Sequence, residues 1–118
     1  MKSETFGPLV SDEQRQANIG FVYLICVDGL KYIGKKNFLA KRGKKYVESD
    51  WKTYTSSSDL IKDKLKTNIG EFKILEFAHT RRELTYLEVK YQMKNEVLES
   101  DEWANKNIGF KYYRNVRD

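Results

Sequence analysis

The sequence predicts a small α+β domain: a three-stranded antiparallel sheet with flanking helices, in the order β-β-α-α-β-α. Three observations predict it. Gly20 to Val27 reads Gly-Phe-Val-Tyr-Leu-Ile-Cys-Val, a β-branched and aromatic run suited to a buried strand, and the hairpin signal Asp28-Gly29 follows it. Residues 71–78 alternate as Glu-Phe-Lys-Ile-Leu-Glu-Phe-Ala, which suits another strand. Serine and threonine caps open apolar-periodic helices before and after that run. At 118 residues the chain makes one domain and can bury roughly two-thirds of its unfolded surface.

The elements follow in order. Residues 1–18 are polar, hold the only proline (Pro8) and show no period. They are expected as an arm or a poorly ordered lead-in, with the single domain over 19–118. The first strand turns at Asp28-Gly29 because glycine tolerates positive φ. Leu30 to Ile33 returns as the second strand, and Gly34 ends it. Asn37 is placed to cap a short helix over about residues 38–45, with an irregular stretch after it. Ser57 or Ser58 caps a helix to about Thr67 whose apolar face is Leu60, Ile61 and Leu65, and Gly70 suits the turn behind it. Thr80-Arg81-Arg82-Glu83 fits a capping box, and the helix it opens is expected to reach about Leu98. A short strand is expected around residues 110–113.

Composition narrows the function classes. The chain is 40% hydrophobic and 33% charged, and no apolar run approaches the roughly 20 residues of a membrane span. The first residues lack the apolar stretch of a signal peptide. Cys26 and His79 are each the only residue of their type, which excludes an intrachain disulfide framework and a multi-histidine zinc site. A reduced, cytoplasmic setting is expected. The net charge of +5 is concentrated. Residues 31–52 hold eight lysines and arginines against Glu48 and Asp50, a local +6, so the remainder sums to −1. A basic segment on a near-neutral domain faces a polyanion or is a solvated loop.

Several residues of chemical interest fall on these elements. Tyr23 lies in the first strand and Tyr32 in the second, so two phenols can share one face. Gly34 follows Tyr32 by two and allows close backbone approach. Arg42 follows Gly34 by eight, and Glu88 lies on the long helix at the rim of its apolar face, flanked by Gln92 and Asn95. Singly, each of these has an ordinary reading: packed sheet tyrosines, a solvated arginine, a surface glutamate. His79 beside the Thr80 cap reads as structural, and Cys26 as a small buried hydrophobe.

Together they resemble the GIY-YIG nuclease signature. Phe21-Val22-Tyr23 and Tyr32-Ile33-Gly34 are similar to its two halves, with Val for the first Ile. Arg42 matches the arginine that follows, Glu88 with Tyr91 matches the metal-binding glutamate and its aromatic, and Asn107, or less well Asn105, matches the late asparagine. Tyr54-Thr55-Ser56-Ser57 resembles the Tyr-x-Ser-Ser segment of phage SegE-like members. The resemblance covers about residues 20–110.

The resemblance implies a GIY-YIG-like fold and a DNA endonuclease hydrolysing phosphodiester bonds. Tyr23 or Tyr32 would activate the water, with Tyr23 the better match to the general base. Arg42 would hold a phosphate, as its planar, permanently charged fork can. Glu88 would hold Mg²⁺ or Mn²⁺, because Mg²⁺ needs only one or two carboxylates and keeps most of its waters. A phenol ionises near pH 10, so the nearby Lys35, Lys36 and Arg42 are expected to stabilise a phenolate. Double-stranded DNA is the expected partner, with contacts from Lys35, Lys36, Lys41, Lys44, Lys45, Tyr46, Lys52, Tyr54, Ser56, Ser57 and Asn107. The chain is expected as a monomer or weak homodimer, in the host cytoplasm if phage-encoded, or as the nuclease portion of something longer. One departure stands out: the histidine many members carry a turn after the arginine is Tyr46 here. Tyr46 or Tyr54 takes part in its place, or Tyr23 works with lysine help, or the domain is an inactive nucleic-acid-binding module.

Overall fold

A computed structural model describes residues 5–114. Its centre is a three-stranded antiparallel sheet of strands β1 (Gly20–Val27), β2 (Leu30–Asn37) and β5 (Glu71–Ala78), ordered β2-β1-β5. Strands β1 and β2 join through Asp28 and Gly29, whose φ angles of 49° and 76° fit the hairpin that Asp-Gly favours. β2 does not stop at Gly34. It runs on to Asn37 because Gly34 lies opposite Tyr23 in the ladder, where the missing Cβ is what lets the strand pass. Between Val22 and Tyr23 the β1–β5 register slips by one, leaving Leu75 without a partner beside Tyr23.

The expected helix over residues 38–45 is a β-hairpin. Strands β3 (Leu39–Arg42) and β4 (Lys45–Glu48) pair antiparallel around Gly43-Lys44, with Gly43 at φ 63°. Glycine at the first position of a two-residue loop is hairpin chemistry, and it outweighs the helix propensity of Leu, Ala, Lys and Arg around it. The hairpin is mostly exposed and is anchored at its base by Arg15, whose Nε and Nη2 donate to Glu48 at 2.8 and 2.5 Å.

Nor is the lead-in a loose arm where it is described. Gly7–Leu9 makes a 3-10 turn, and helix α1 (Asp12–Ala17) starts in a reciprocal capping box between Ser11 and Gln14. Phe6 is fully buried, with its ring centroid 5.0 Å from Phe21 and Tyr23 and 5.1 Å from Phe72. Burying one such ring is worth about 1.5–3 kcal/mol, enough to order the segment that carries it. Residues 1–4 lie outside the described residues.

The sheet separates two cores. On one face Phe21, Tyr23, Ile25 and Val27 pack with Phe6, Phe38, Trp51 and Ile61. Ile61 comes from helix α2 (Asp59–Leu65), capped by Ser58, whose Oγ accepts from Ile61 N at 3.3 Å. Leu60, expected on that helix's apolar face, is exposed. On the other face Val22, Ile33 and Ala78 pack with Leu84 and Leu87 of helix α3 (Arg81–Lys94) and with Val97, Leu98 and Ile108. Thr80 caps α3 by accepting from Glu83 N at 3.0 Å, while the Glu83 carboxylate reaches back to the His79 N–H at 2.7 Å. The helix ends at Lys94 rather than Leu98, where the Asn95 amide donates to Tyr91 O and Glu96 turns at φ 52°. A last small hairpin pairs β6 (Asn107–Ile108) with β7 (Tyr112–Tyr113), so the expected strand at 110–113 is a turn followed by a strand.

Candidate active site

β2 is an edge strand, and its outward backbone groups must find partners. At Lys31 the chain itself supplies them: Lys31 N donates to Glu102 O and Ala104 N donates to Lys31 O, each at 2.7 Å. At Ile33 one side chain imitates a strand. Asn105 accepts from Ile33 N at 3.2 Å and donates to Ile33 O at 2.8 Å, and Gln92 donates to the same oxygen at 2.9 Å. At Lys35 the Glu88 carboxylate takes that place, stabilised by the Lys35 backbone and charge. Here the cover ends and the edge opens into a cleft.

The cleft has a volume of about 490 Å³, and Tyr23, Tyr32, Lys35, Glu88, Asn105 and Asn107 stand in its wall. Tyr23 and Tyr32 are diagonal neighbours, since Tyr23 faces Gly34 and Ile25 faces Tyr32. Their ring centroids are 6.2 Å apart. A Cβ on Gly34 would stand 2.5 Å from the Tyr23 hydroxyl, so the phenol lies against bare backbone. The Tyr32 hydroxyl is 3.0 Å from Ser57 Oγ. The Tyr54 ring centroid is 6.0 Å from that of Tyr23, and Ser56 also acts on the Tyr23 phenol. Ser56 is fully buried at φ 103°, a strained backbone for serine, and its Oγ also accepts from Ser58 N at 2.9 Å.

The electrostatics run opposite to the sequence expectation for the phenols. Burial pushes the Tyr23 hydroxyl well above the usual range near 10, and the neighbouring Tyr54 and Tyr32 phenols add to it. Tyr32 is also raised, by burial first and with the Glu88 carboxylate contributing, although the Ser57 bond opposes it. The two lysines meant to stabilise a phenolate have other partners. The Lys36 ammonium is 2.6 Å from Asp50 and 4.0 Å over the Tyr54 ring, and Lys35 Nζ donates to Thr85 at 2.9 Å. Burial also raises the Glu88 carboxyl, opposed by the Lys35 charge and by the Lys35 N–H. Glu88 is a half-buried carboxylate that gains from a cation beside it.

The remaining expected residues divide. Ser57 lines the cleft with the six already named. Lys36, Lys41 and Tyr54 line a shallower depression that shares Lys35 and brings in Arg81. Arg42, Lys44, Lys45 and Tyr46 lie on the exposed hairpin, and Arg42 does not line the cleft. Lys52 is exposed, its Nζ 5.6 Å from the Trp51 ring. His79 is structural: its Nδ1 is 3.1 Å from Ala17 O. The structure adds Thr85, Gln92, Lys106 and Phe110 to the cleft. Gln92 was legible as the residue one turn beyond Glu88; the other three carried no sequence signal.

A hard divalent ion fits these donors better than a zinc cage would. Among the described residues no three His, Cys, Asp or Glu side chains gather. Glu88 supplies one carboxylate, and one turn along the helix the buried Gln92 Oε1 has no hydrogen-bond partner.

A family model described as "Putative endonuclease segE, GIY-YIG domain" matches residues 4–113. Comparison with curated proteins and with solved structures returns no match.

Proposed function

Since this chain belongs to the segE-type GIY-YIG endonuclease domain family, we propose that it is a divalent-metal-dependent endonuclease that hydrolyses phosphodiester bonds of double-stranded DNA in the cleft at the open edge of β2. One observation carries this reading. Two tyrosines, a half-buried glutamate and a lysine from three separate elements converge where the edge strand is left uncovered.

Hydrolysis needs an activated water, charge relief at the phosphoryl oxygens and help for the leaving oxygen. Glu88 would hold Mg²⁺ or Mn²⁺, and Gln92 Oε1 is placed to accept from a bound water. The ion supplies Lewis acidity and acidifies water when bound. The tyrosine pair orients the attacking water, with Tyr23 assigned as the base and Tyr32 as its cleft-facing neighbour. Both phenols hold their protons tightly in the free protein. The base would therefore have to ionise in the complex, where positive charge beside it would favour the phenolate and DNA phosphates would oppose it. Lys35 and Lys106 offer positive charge at the cleft wall. The basic hairpin and the depression holding Lys41 and Arg81 would continue that charge away from the cleft along one path for the backbone.

The test is cleavage of supercoiled plasmid with Mg²⁺, with Mn²⁺ and in excess chelator, using Tyr23→Phe, Tyr32→Phe and Glu88→Ala. The parent cuts with either metal and not in chelator; Glu88→Ala does not cut. Full cutting by Glu88→Ala, or in chelator, overturns the assignment. A second reading has its own observation. Arg42 stands off the cleft and both phenols shift upward, as a module that binds DNA without cutting it would tolerate. Salt-dependent binding with no cutting under either metal would establish that reading.

A further inference from the structure

Phe110 is the most exposed large hydrophobic residue among those described, at 82%. It sits in the turn between β6 and β7, closed by Lys111 N donating to Ile108 O at 3.1 Å. The two central residues, Gly109 and Phe110, have φ of 59° and 57°. Such a turn favours Asn or Gly at both positions, and an aromatic residue there is a backbone outlier. Packing does not account for Phe110, because the ring buries almost nothing. Turn chemistry does not either, because it opposes the residue. A strained, solvent-facing aromatic at a turn is what function retains against stability.

Its surroundings say what that function is. Phe110 and Gly109 stand in the wall of the same cleft as Tyr23, Tyr32 and Glu88. Asn107, also in that wall, accepts from the Phe110 N–H at 3.4 Å, so a cleft residue braces the turn. Lys106 and Lys111 flank the segment, and Tyr112 and Tyr113 are 47% and 53% exposed just beyond it. Cations beside exposed rings are the composition that holds a nucleic-acid backbone while stacking on a base.

We propose that Phe110 is a stacking wedge. It packs its ring against a nucleobase next to the phosphate held in the cleft, and so makes the protein prefer DNA whose stacking at that step is already weak. A base inside an intact duplex has both faces covered, so a ring can reach it only where a flexible step, a mismatch or a nick lets it unstack. The inference rests on the DNA reading above and adds a preference that reading does not contain.

The test uses the full chain and two variants. Phe110→Asn removes the ring and suits the turn; Phe110→Trp keeps a ring. Substrates are matched duplexes, intact or with one mismatch at the cut step, and 2-aminopurine placed there reports unstacking. For binding, each chain also carries Glu88→Gln. The parent is expected to cut the mismatched duplex about tenfold faster or more, and its binding to raise 2-aminopurine emission. Phe110→Asn is expected to lose both effects while its melting temperature rises, and Phe110→Trp to keep both. Equal preference and emission in Phe110→Asn overturn the wedge. Binding with the emission change but without cutting overturns the nuclease reading and leaves the wedge standing; no DNA binding by the parent overturns both.

Discussion

Gly34→Ala puts one methyl group against the two cleft tyrosines. The new Cβ would lie 2.5 Å from the Tyr23 hydroxyl, 2.7 Å from its Cζ and 2.9 Å from Tyr32 Cε2, where an ordinary contact begins at 3.4 Å. The Tyr23 hydroxyl must then retreat by about 0.9 Å. Its retreat is confined: Tyr23 is 1% exposed and Phe6 packs 5.0 Å from its ring, so the shift strains the core or pushes the phenol into the cleft. Overpacking of this kind costs about 1–3 kcal/mol, or a melting point lower by about 4 °C per kcal/mol at this chain size. A displacement near 1 Å at a reacting group costs about a hundredfold in rate. Gly43→Ala is the control: Gly43 has φ 63° and open space around it, so it strains a turn without touching the cleft. Plasmid cleavage and thermal unfolding of both variants decide the matter. Gly34→Ala should lose both stability and activity, and Gly43→Ala only stability. A Gly34→Ala protein that melts and cuts like its parent would refute the crowding argument and the tyrosine placement behind it.

Three further outcomes follow from the same geometry. Burial holds the Glu88 carboxyl above its ordinary value near 4.5, so the unfolded chain loses this proton first as pH rises. The folded state then carries a penalty that is absent below pH 4.5; Glu88→Gln should melt with the parent at pH 4 and above it at pH 7, and the reverse order at pH 7 would remove burial as the cause. Asn105→Ala strands the Ile33 N–H, so urea unfolding should show a loss of about 1–3 kcal/mol and the Ile33 amide should exchange faster. Lys44→Ala and Lys45→Ala should each lower the salt slope of DNA binding by about 0.9 if they meet phosphates, and slopes equal to the parent's would place the duplex away from the hairpin.

Strong local signals were legible in the sequence. Gly20 to Val27, the Asp28-Gly29 turn, the strand over 71–78 and the Thr80 cap each rest on one chemical preference that nothing nearby contests. Legibility failed where a residue has two meanings. Gly34 reads as a strand end, but it is a mid-strand position where a phenol needs the room. Residues 38–45 read as a short helix, but Gly43 within them is the turn of a hairpin. Val97 and Leu98 continue the period of α3, yet they reach the core from the turn after it. For the site, sequence order brought Tyr23, Tyr32 and Glu88 forward, and the fold places all three in one cleft wall. It could not show that Lys36 would be held by Asp50, or that burial would drive the phenols upward, because both depend on contacts far apart in the chain.

The basic segment over 31–52 therefore divides in two. Only Lys35 of its eight cations reaches the cleft wall, while Lys36 is neutralised by Asp50 and most of the rest stand on the hairpin and the depression at its base. Charge on an exposed hairpin acts through long-range, salt-screened attraction and sets how tightly DNA is held. Charge inside a half-buried cleft acts at short range on whichever oxygen becomes negative. Inside this cleft the protein supplies Lys35 and Lys106 against Glu88 and Asp59, and two phenols that resist ionisation. Such a cleft is too nearly balanced to offset a developing phosphoryl charge by itself. The shortfall is what a divalent ion at Glu88 would supply, so cleavage with and without the metal tests the proposed chemistry more directly than any lysine substitution.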